Sequence, residues 1–223
     1  MSLILNIDTA TATAEVSFAK DGEVLHCLQN DSQKDHAAFL QTAIQQLLKN
    51  ANFTPAHIDA VALTAGPGSY TGLRVGMASA KGLCYALNKP LIALNTLQVL
   101  AVGVQQVLYN PANILFCPMI DARRMEVFTA LYDEKLNPLL APCAMVLQQD
   151  SFLQQLQRFK IVFFGSGAAK WQLACAHPNA SFATVSNIAN AMAFLGNQHF
   201  VKKKFADLAY SEPFYLKAFQ DKI

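Results

Sequence analysis

Two apolar strands that end in aspartate, Leu3 to Asp8 and Ile114 to Asp121, each open the same succession of elements. After the first comes a polar turn, Asp8-Thr9-Ala10-Thr11-Ala12-Thr13, then a strand from Ala14 to Lys20. Asp21-Gly22 is a hairpin signal, and Glu23 to Gln29 returns as a third strand. After the second, Glu126-Val127-Phe128-Thr129-Ala130 answers Glu15-Val16-Ser17-Phe18-Ala19, and Asp133-Glu134 stands where Asp21-Gly22 stood. A third strand is expected there around Leu139 to Met145. The first meander leads to a helix with Leu40, Ala43, Ile44, Leu47 and Leu48 at helical spacing, behind Ser32-x-x-Asp35, which resembles a capping box. A strand from Ala60 to Thr64 follows, and then a glycine-opened helix to about Leu87, before Pro90. The second meander leads to a helix through Phe152, Leu153 and Leu156 and a strand from Ile161 to Phe164. Gly165-Ser166-Gly167 then occupies the place of Gly66-Pro67-Gly68.

An internal duplication of this kind confines the chain to an α/β fold of two similar lobes. The expected lobes are residues 1–110 and 111–223, divided at the Asn-Pro turn between Tyr109 and Asn113. A strand from Pro90 to Asn95 and a helix marked by Leu97, Leu100, Ala101, Val104 and Leu108 end the first lobe. A long helix, about Ile188 to Phe205, and a tail from Ser211 end the second.

Gly66-Pro67-Gly68-Ser69-Tyr70-Thr71-Gly72-Leu73-Arg74-Val75-Gly76 joins strand to helix through residues with almost no side-chain bulk. Ser69 or Thr71 can cap the helix, and its first amides could hold an anion. A Walker loop would need Lys and then Ser or Thr after Gly72, where Leu73 and Arg74 stand; a dinucleotide fingerprint from Gly66 would need glycine at Thr71. Both tests fail. A tight connection without a ligand remains the alternative. Farther along, Gly72, Gly76, Ala80 and Cys84 recur every four residues and form a ridge that permits close approach of another helix or of the chain's own sheet.

Hydrophobic residues make up 53% of the 223 and charged ones 14%, so the surface is apolar enough to suggest a partner. A formal charge of +2 leaves nucleic-acid contact to local clusters. The five cysteines are scattered, with no C-x-x-C pair, and imply neither a disulfide framework nor a zinc site. The first residues lack a signal-peptide pattern, and no apolar run reaches membrane-spanning length, so a cytoplasmic location is expected.

Two meander lobes that each end a first strand in Asp resemble the duplicated actin/hexokinase-like fold (ASKHA, ribonuclease H-like). That family binds ATP between lobes, its two turns holding phosphates and an Asp the metal. Asp8 with Thr9 and Thr11 suits such a turn; Asp121 opens a shorter one without glycine. Each aspartate could instead simply cap its strand end. More specifically, Ile4-Leu5-Asn6-Ile7-Asp8-Thr9, Ser32-Gln33-x-x-His36, Gly66 to Gly76, Ala80-Lys81-Gly82-Leu83 and Ile120-Asp121-Ala122-Arg123-Arg124-x-Glu126-Val127 together resemble the TsaB (YeaZ) family from end to end. The tail departs from it, with Lys217 after Tyr215-Leu216 where the family usually has Arg.

The resemblance implies a bacterial, non-catalytic subunit in making threonylcarbamoyladenosine beside the tRNA anticodon. It implies pairing with the catalytic TsaD, joined by the ATPase TsaE, and a homodimer of similar geometry when TsaD is absent. No intrinsic cofactor is implied; ATP and Mg²⁺ enter only within the complex, and tRNA is met through it. In TsaD a His-x-x-x-His pair holds the catalytic metal, and the matching positions here are Thr96 and Leu100. His26, His36, His57, His177 and His199 show no ligand spacing, and surface or capping roles are expected of them. The resemblance puts the partner surface on two helices, with Leu40, Ile44 and Leu47 on one and Gly72, Leu73, Gly76, Met77 and Ala80 on the other. Arg123, Arg124, Lys202 and Lys203 are candidate tRNA contacts, and a solvated helix face is the favoured reading of the lysines. The rival class is an enzyme in its own right, an actin-fold ATP-binding protein or weak ATPase, or a peptidase; no G-x-S-x-G, H-E-x-x-H or Cys-His signature supports the peptidase.

Overall fold

A computed structural model describes residues 2–31, 36–108 and 113–217. The first half runs β1 (Leu3–Asp8), β2 (Ala14–Lys20), β3 (Glu23–Asn30), α1 (His36–Asn50), β4 (Ala60–Gly66), α2 (Tyr70–Leu87), β5 (Leu91–Asn95) and α3 (Thr96–Gln105). The second repeats that order with β6 (Ile114–Asp121), β7 (Glu126–Tyr132), β8 (Pro138–Val146), α4 (Leu153–Leu156), β9 (Lys160–Phe164), α5 (Ala168–Ala174), β10 (Ala180–Ala183) and α6 (Ile188–Val201). The strand orders, β3-β2-β1-β4-β5 and β10-β9-β6-β7-β8, are the same path traced twice. In each sheet the meander is antiparallel, and the first strand pairs in parallel with the strand that follows the helix. The chain thus has the duplicated actin/hexokinase-like α/β fold.

β1 and β4 are buried at every residue. A strand covered on both faces gains by being mainly apolar, and Leu3, Ile4, Leu5 and Ile7 beside Val61 and Leu63 supply that. α1 and α2 lay Leu40, Ala43, Ile44, Leu47, Met77, Ala80 and Cys84 on this sheet. In the second sheet Trp171 packs edge-on to Phe152 and Phe163, which replaces with aromatic bulk what the shorter α4 and α5 do not cover.

The two compact units cut the chain differently from the expected lobes. One comprises residues up to Thr96 with Ala189–Tyr215, the other Leu97–Ile188 with Leu216 and Lys217. Each half therefore gives its last helix to the other unit's core. Leu97, Leu100, Ala101 and Val104 of α3 pack with Phe116, Ile120 and Phe164, while Gly196 of α6 sits beside Asn6 and Ala62. Residues 109–112, where the division was expected, and the Ser32-x-x-Asp35 capping box lie outside the described residues.

Two further expectations change. The long helix stops at Val201, not Phe205, because Lys203 takes a left-handed conformation (φ 52°). Lys204 N–H then reaches His199 O and Lys203 N–H reaches Phe200 O, a double closure that ends the helix. β10 was not expected at all. Among the described residues no helix is long and apolar enough to cross a membrane.

Candidate functional site

Every residue expected on the partner surface is buried. Leu40, Ile44, Leu47, Leu73, Met77 and Ala80 belong to the buried core of their own unit, and Gly72 and Gly76 are buried with them. This corrects the expectation: Leu40, Ile44, Leu47, Met77 and Ala80 pack in the core of their own sheet, and the glycines face the turn after β1. Thr9 donates its hydroxyl to Gly72 O at 2.8 Å, and Ser69 N–H donates to Ala10 O at 2.7 Å. A Cβ on Gly68 would overlap Ala10 O, one on Gly72 would overlap Thr9 O, and one on Gly76 would overlap Thr9 Oγ1. The glycine end of the ridge, Gly72 and Gly76, is therefore the seat of the first turn on α2. Close approach is used inside the chain. Ser69, not Thr71, is the N-cap, accepting Gly72 N–H at 3.3 Å.

The same packing absorbs the first candidate phosphate turn. Asp8 is 3% exposed, and its Oδ1 accepts Thr64 O–H at 2.7 Å and Ala10 N–H at 2.9 Å. Burial raises its pKa, opposed by the Thr64 hydroxyl, the Ala10 amide and the charge of His36. The side chain holds its own turn, as the strand-cap alternative required. Thr9 is buried, and Thr11, half-buried, donates to Thr13 O. Asp121, by contrast, is exposed and lies in the other unit, at a turn joined by Lys170 of α5. Desolvation acts to raise its pKa, but the Lys170 ammonium and the Arg123 N–H override it and hold the carboxyl below the usual range.

Arg123 and Arg124 are exposed at that second turn. Lys202 and Lys203 are exposed too, although they sit in the turn that ends α6 and not on a helix face. Thr96 and Leu100 are 1% and 5% exposed, and the Thr96 hydroxyl has no hydrogen-bond partner. His57 serves the expected capping role, accepting Thr54 N–H at its Nδ1. His36 departs from expectation: it is buried, with Nε2 at 3.2 Å from Ala12 O.

What α1 and α2 offer outward is a second set of residues. On α2 Ala78, Gly82 and Ala86 are exposed and recur every four residues, as the inner ridge does. A Cβ on Gly82 would meet nothing within 4 Å. Together with Gln41 of α1, Ala78, Ser79, Gly82 and Leu83 line an open groove of about 410 Å³, and Gln41 Nε2 reaches Ser79 Oγ at 3.3 Å. The α2 spacing that pointed to the inner ridge points equally to this outer one. Lys81, next to it, donates to Ala209 O and Ser211 O at 3.0 Å and straps the tail to α2. Phe214 N–H donates to Ala65 O at 2.6 Å, with its own carbonyl where a Gly66 side chain would be. In the other unit Lys217, which stands for the family's Arg, pairs with Glu126.

A family model described as "TsaD: tRNA N6-adenosine threonylcarbamoyltransferase" matches residues 29–219. A Bacillus subtilis (strain 168) protein named tRNA threonylcarbamoyladenosine biosynthesis protein TsaB is 33% identical over 137 residues, 61% of this chain and 57% of that protein. The chain thus aligns with just over half of that relative's length. Among solved structures, a Pseudomonas aeruginosa protein described as similar to peptidase YEAZ superposes with a TM-score of 0.82. It is 22% identical, with 97% of this chain and all of that one covered. An inorganic polyphosphate/ATP-glucomannokinase from Arthrobacter sp. strain KM superposes with a TM-score of 0.51 at 11% identity, covering 91% of this chain and all of that one. These likenesses carry the fold alone. With most of its length matched by that model and TsaB among its relatives, the chain belongs to the tRNA N6-adenosine threonylcarbamoyltransferase (TsaD) family, on its TsaB (YeaZ) branch.

Proposed function

We propose that the chain is a non-catalytic subunit in the biosynthesis of threonylcarbamoyladenosine in tRNA, and that it acts by pairing with a TsaD subunit. The observation that carries this is the chemistry of two positions. Where the resemblance expects the metal-binding histidines of TsaD, this chain has a buried Thr96 and a buried Leu100, and neither replaces imidazole at a catalytic metal. The transfer chemistry is then the partner's, and this chain's contribution is a surface.

The outward faces of α1 and α2 are the surface this reading uses. Glycine in an exposed helix interior costs about 1 kcal/mol relative to alanine, and Gly82 has no internal contact that needs it. A partner backbone that approaches closely between Ala78 and Ala86 supplies the reason. TsaE joins the pair, ATP with Mg²⁺ and tRNA are met in the complex in the cytoplasm, and two copies pair through the same faces when TsaD is absent.

Reconstituted tRNA modification is expected to require this chain and to find no transfer activity in the chain alone. ATP turnover by the purified chain, lost in Asp8→Asn, would instead support the ATPase reading. Gly82→Trp is expected to abolish capture of TsaD while leaving the thermal midpoint within about 2 °C, since it fills open space at the surface. Undiminished capture would remove the α1/α2 surface from the proposal.

A further inference from the structure

Lys170 reaches from α5 into the hairpin turn between β6 and β7 and sets its ammonium among three oxygens. Asp121 Oδ1 lies at 2.6 Å, the Arg124 carbonyl at 2.7 Å and the Glu126 carbonyl at 2.8 Å. A primary ammonium has three donors, and each oxygen takes one. The Lys170 side chain is 17% exposed against 52% for Asp121, so the cation is the enclosed member of the pair. One carboxylate and two main-chain carbonyls around a positive charge are the donor set of a hard cation.

The turn around this ammonium needs holding. Arg123 and Arg124 follow one another at φ 71° and 45°, a region that burdens any residue with a side chain. Its own hydrogen bonds, Arg123 N–H to Asp121 Oδ1, Ala122 N–H to Glu126 O and Glu126 N–H to Arg123 O, direct the Arg124 carbonyl nowhere. That carbonyl and the Asp121 carboxylate have the ammonium in common. The Glu126 carboxylate is engaged separately, by Lys217.

We propose that the three oxygens of the second turn form a cation site, and that the Lys170 ammonium is its resident cation, closing the hairpin as a bound metal ion would. The inference stands apart from the partner-subunit reading, since it concerns only the second unit. It accounts for a turn that keeps an aspartate at its mouth without leaving that aspartate free. A ligand for the site, once the lysine is removed, is a small primary alkylammonium.

Lys170→Ala in the full chain tests this, because alanine favours the helix and any loss comes from the missing ammonium. The thermal midpoint is expected to fall by about 5 °C. n-Propylammonium, which replaces the deleted atoms, is expected to raise the variant's midpoint with increasing concentration and to leave the unaltered chain unchanged. Tetramethylammonium at equal ionic strength, having no N–H, is expected to do nothing. An unshifted midpoint, or equal action of the two ions, overturns the proposal. Should the variant fail to fold, amine-reactive labelling of the unaltered chain decides: Lys170 is expected to react several-fold more slowly than the exposed Lys202 and Lys203, and equal rates overturn the proposal.

Discussion

Gly72→Ala is expected to destabilise the chain by about 3 kcal/mol, whereas Gly82→Ala, ten residues along the same helix, is expected to stabilise it by about 0.5–1 kcal/mol. The methyl added at Gly72 would overlap the Thr9 carbonyl, a main-chain atom held by β1 and by the turn that Asp8 caps. No rotamer change relieves such a clash, so either α2 or the turn must move. That movement also loosens the Thr9 hydroxyl to Gly72 O hydrogen bond and the Ser69 N–H to Ala10 O hydrogen bond. The methyl added at Gly82 meets nothing within 4 Å and only restricts the unfolded chain. For a chain of this length the two substitutions correspond to thermal midpoints about 10 °C lower and about 2 °C higher. Thermal unfolding followed by circular dichroism reads both. A Gly72→Ala midpoint equal to or above the parent's would mean that the inner ridge is not where the first turn is seated, and a lowered Gly82→Ala midpoint would mean that the outer face of α2 is not open.

The pair also shows what sequence can and cannot give at α2. Two ridges of small residues run along that helix, Gly72-Gly76-Ala80-Cys84 and Ala78-Gly82-Ala86, each at four-residue spacing. Periodicity identifies a face but not its neighbour. The neighbour is Thr9-Ala10, some sixty residues earlier, and its polar letters advertise a turn and nothing of its seat. For that reason spacing alone presents the inner ridge as a docking face. Leu40, Ile44 and Leu47 carry the same ambiguity, which the fold resolves: an amphipathic stripe on a helix beside a sheet is core before it is interface.

Most of the architecture was legible because the buried strands carry it. β1, β4 and β6 are apolar runs ending in recognisable turns, and the repeated Asp at the end of a first strand exposed the duplication. β10 was not legible: Ala180–Ala183 is four residues long, lacks any β-branched residue and pairs with β9 alone. The exchange of α3 and α6 between units was hidden as well. Leu97, Leu100, Ala101 and Val104 announce a buried face, yet nothing in their spacing says which core they enter. The Lys170 clamp lay beyond reach for a related reason, since a lone lysine on a short helix reads as solvated until its three oxygens are brought to it.

Glu15 gives the chain a pH dependence opposite in sign to that of a salt-bridged carboxylate. It lies on β2 opposite Asp8 on β1, it is buried, and its Oε1 has no partner while Oε2 accepts the Gln29 amide. Burial raises its pKa from 4.5 to about 7, reinforced by the Asp8 charge and opposed by the Gln29 and Cys27 hydrogen bonds. A raised carboxyl pKa means that the folded chain binds more protons than the unfolded one between the two values. Stability from this group is therefore complete below about pH 4.5 and declines as pH rises to about 7, by on the order of 3 kcal/mol. Asp8, raised by burial, acts in the same direction, whereas His199, lowered by burial and by Lys204 and Lys202, acts in the opposite one. Glu15→Gln isolates the effect, since its amide oxygen still accepts from Gln29 and carries no charge. Urea unfolding at pH 5, 6, 7 and 8 is expected to find the variant gaining on the parent from pH 5 to pH 7 and little further at pH 8. A constant difference between the two would mean that Glu15 is ionised throughout and that its unpaired oxygen is solvated.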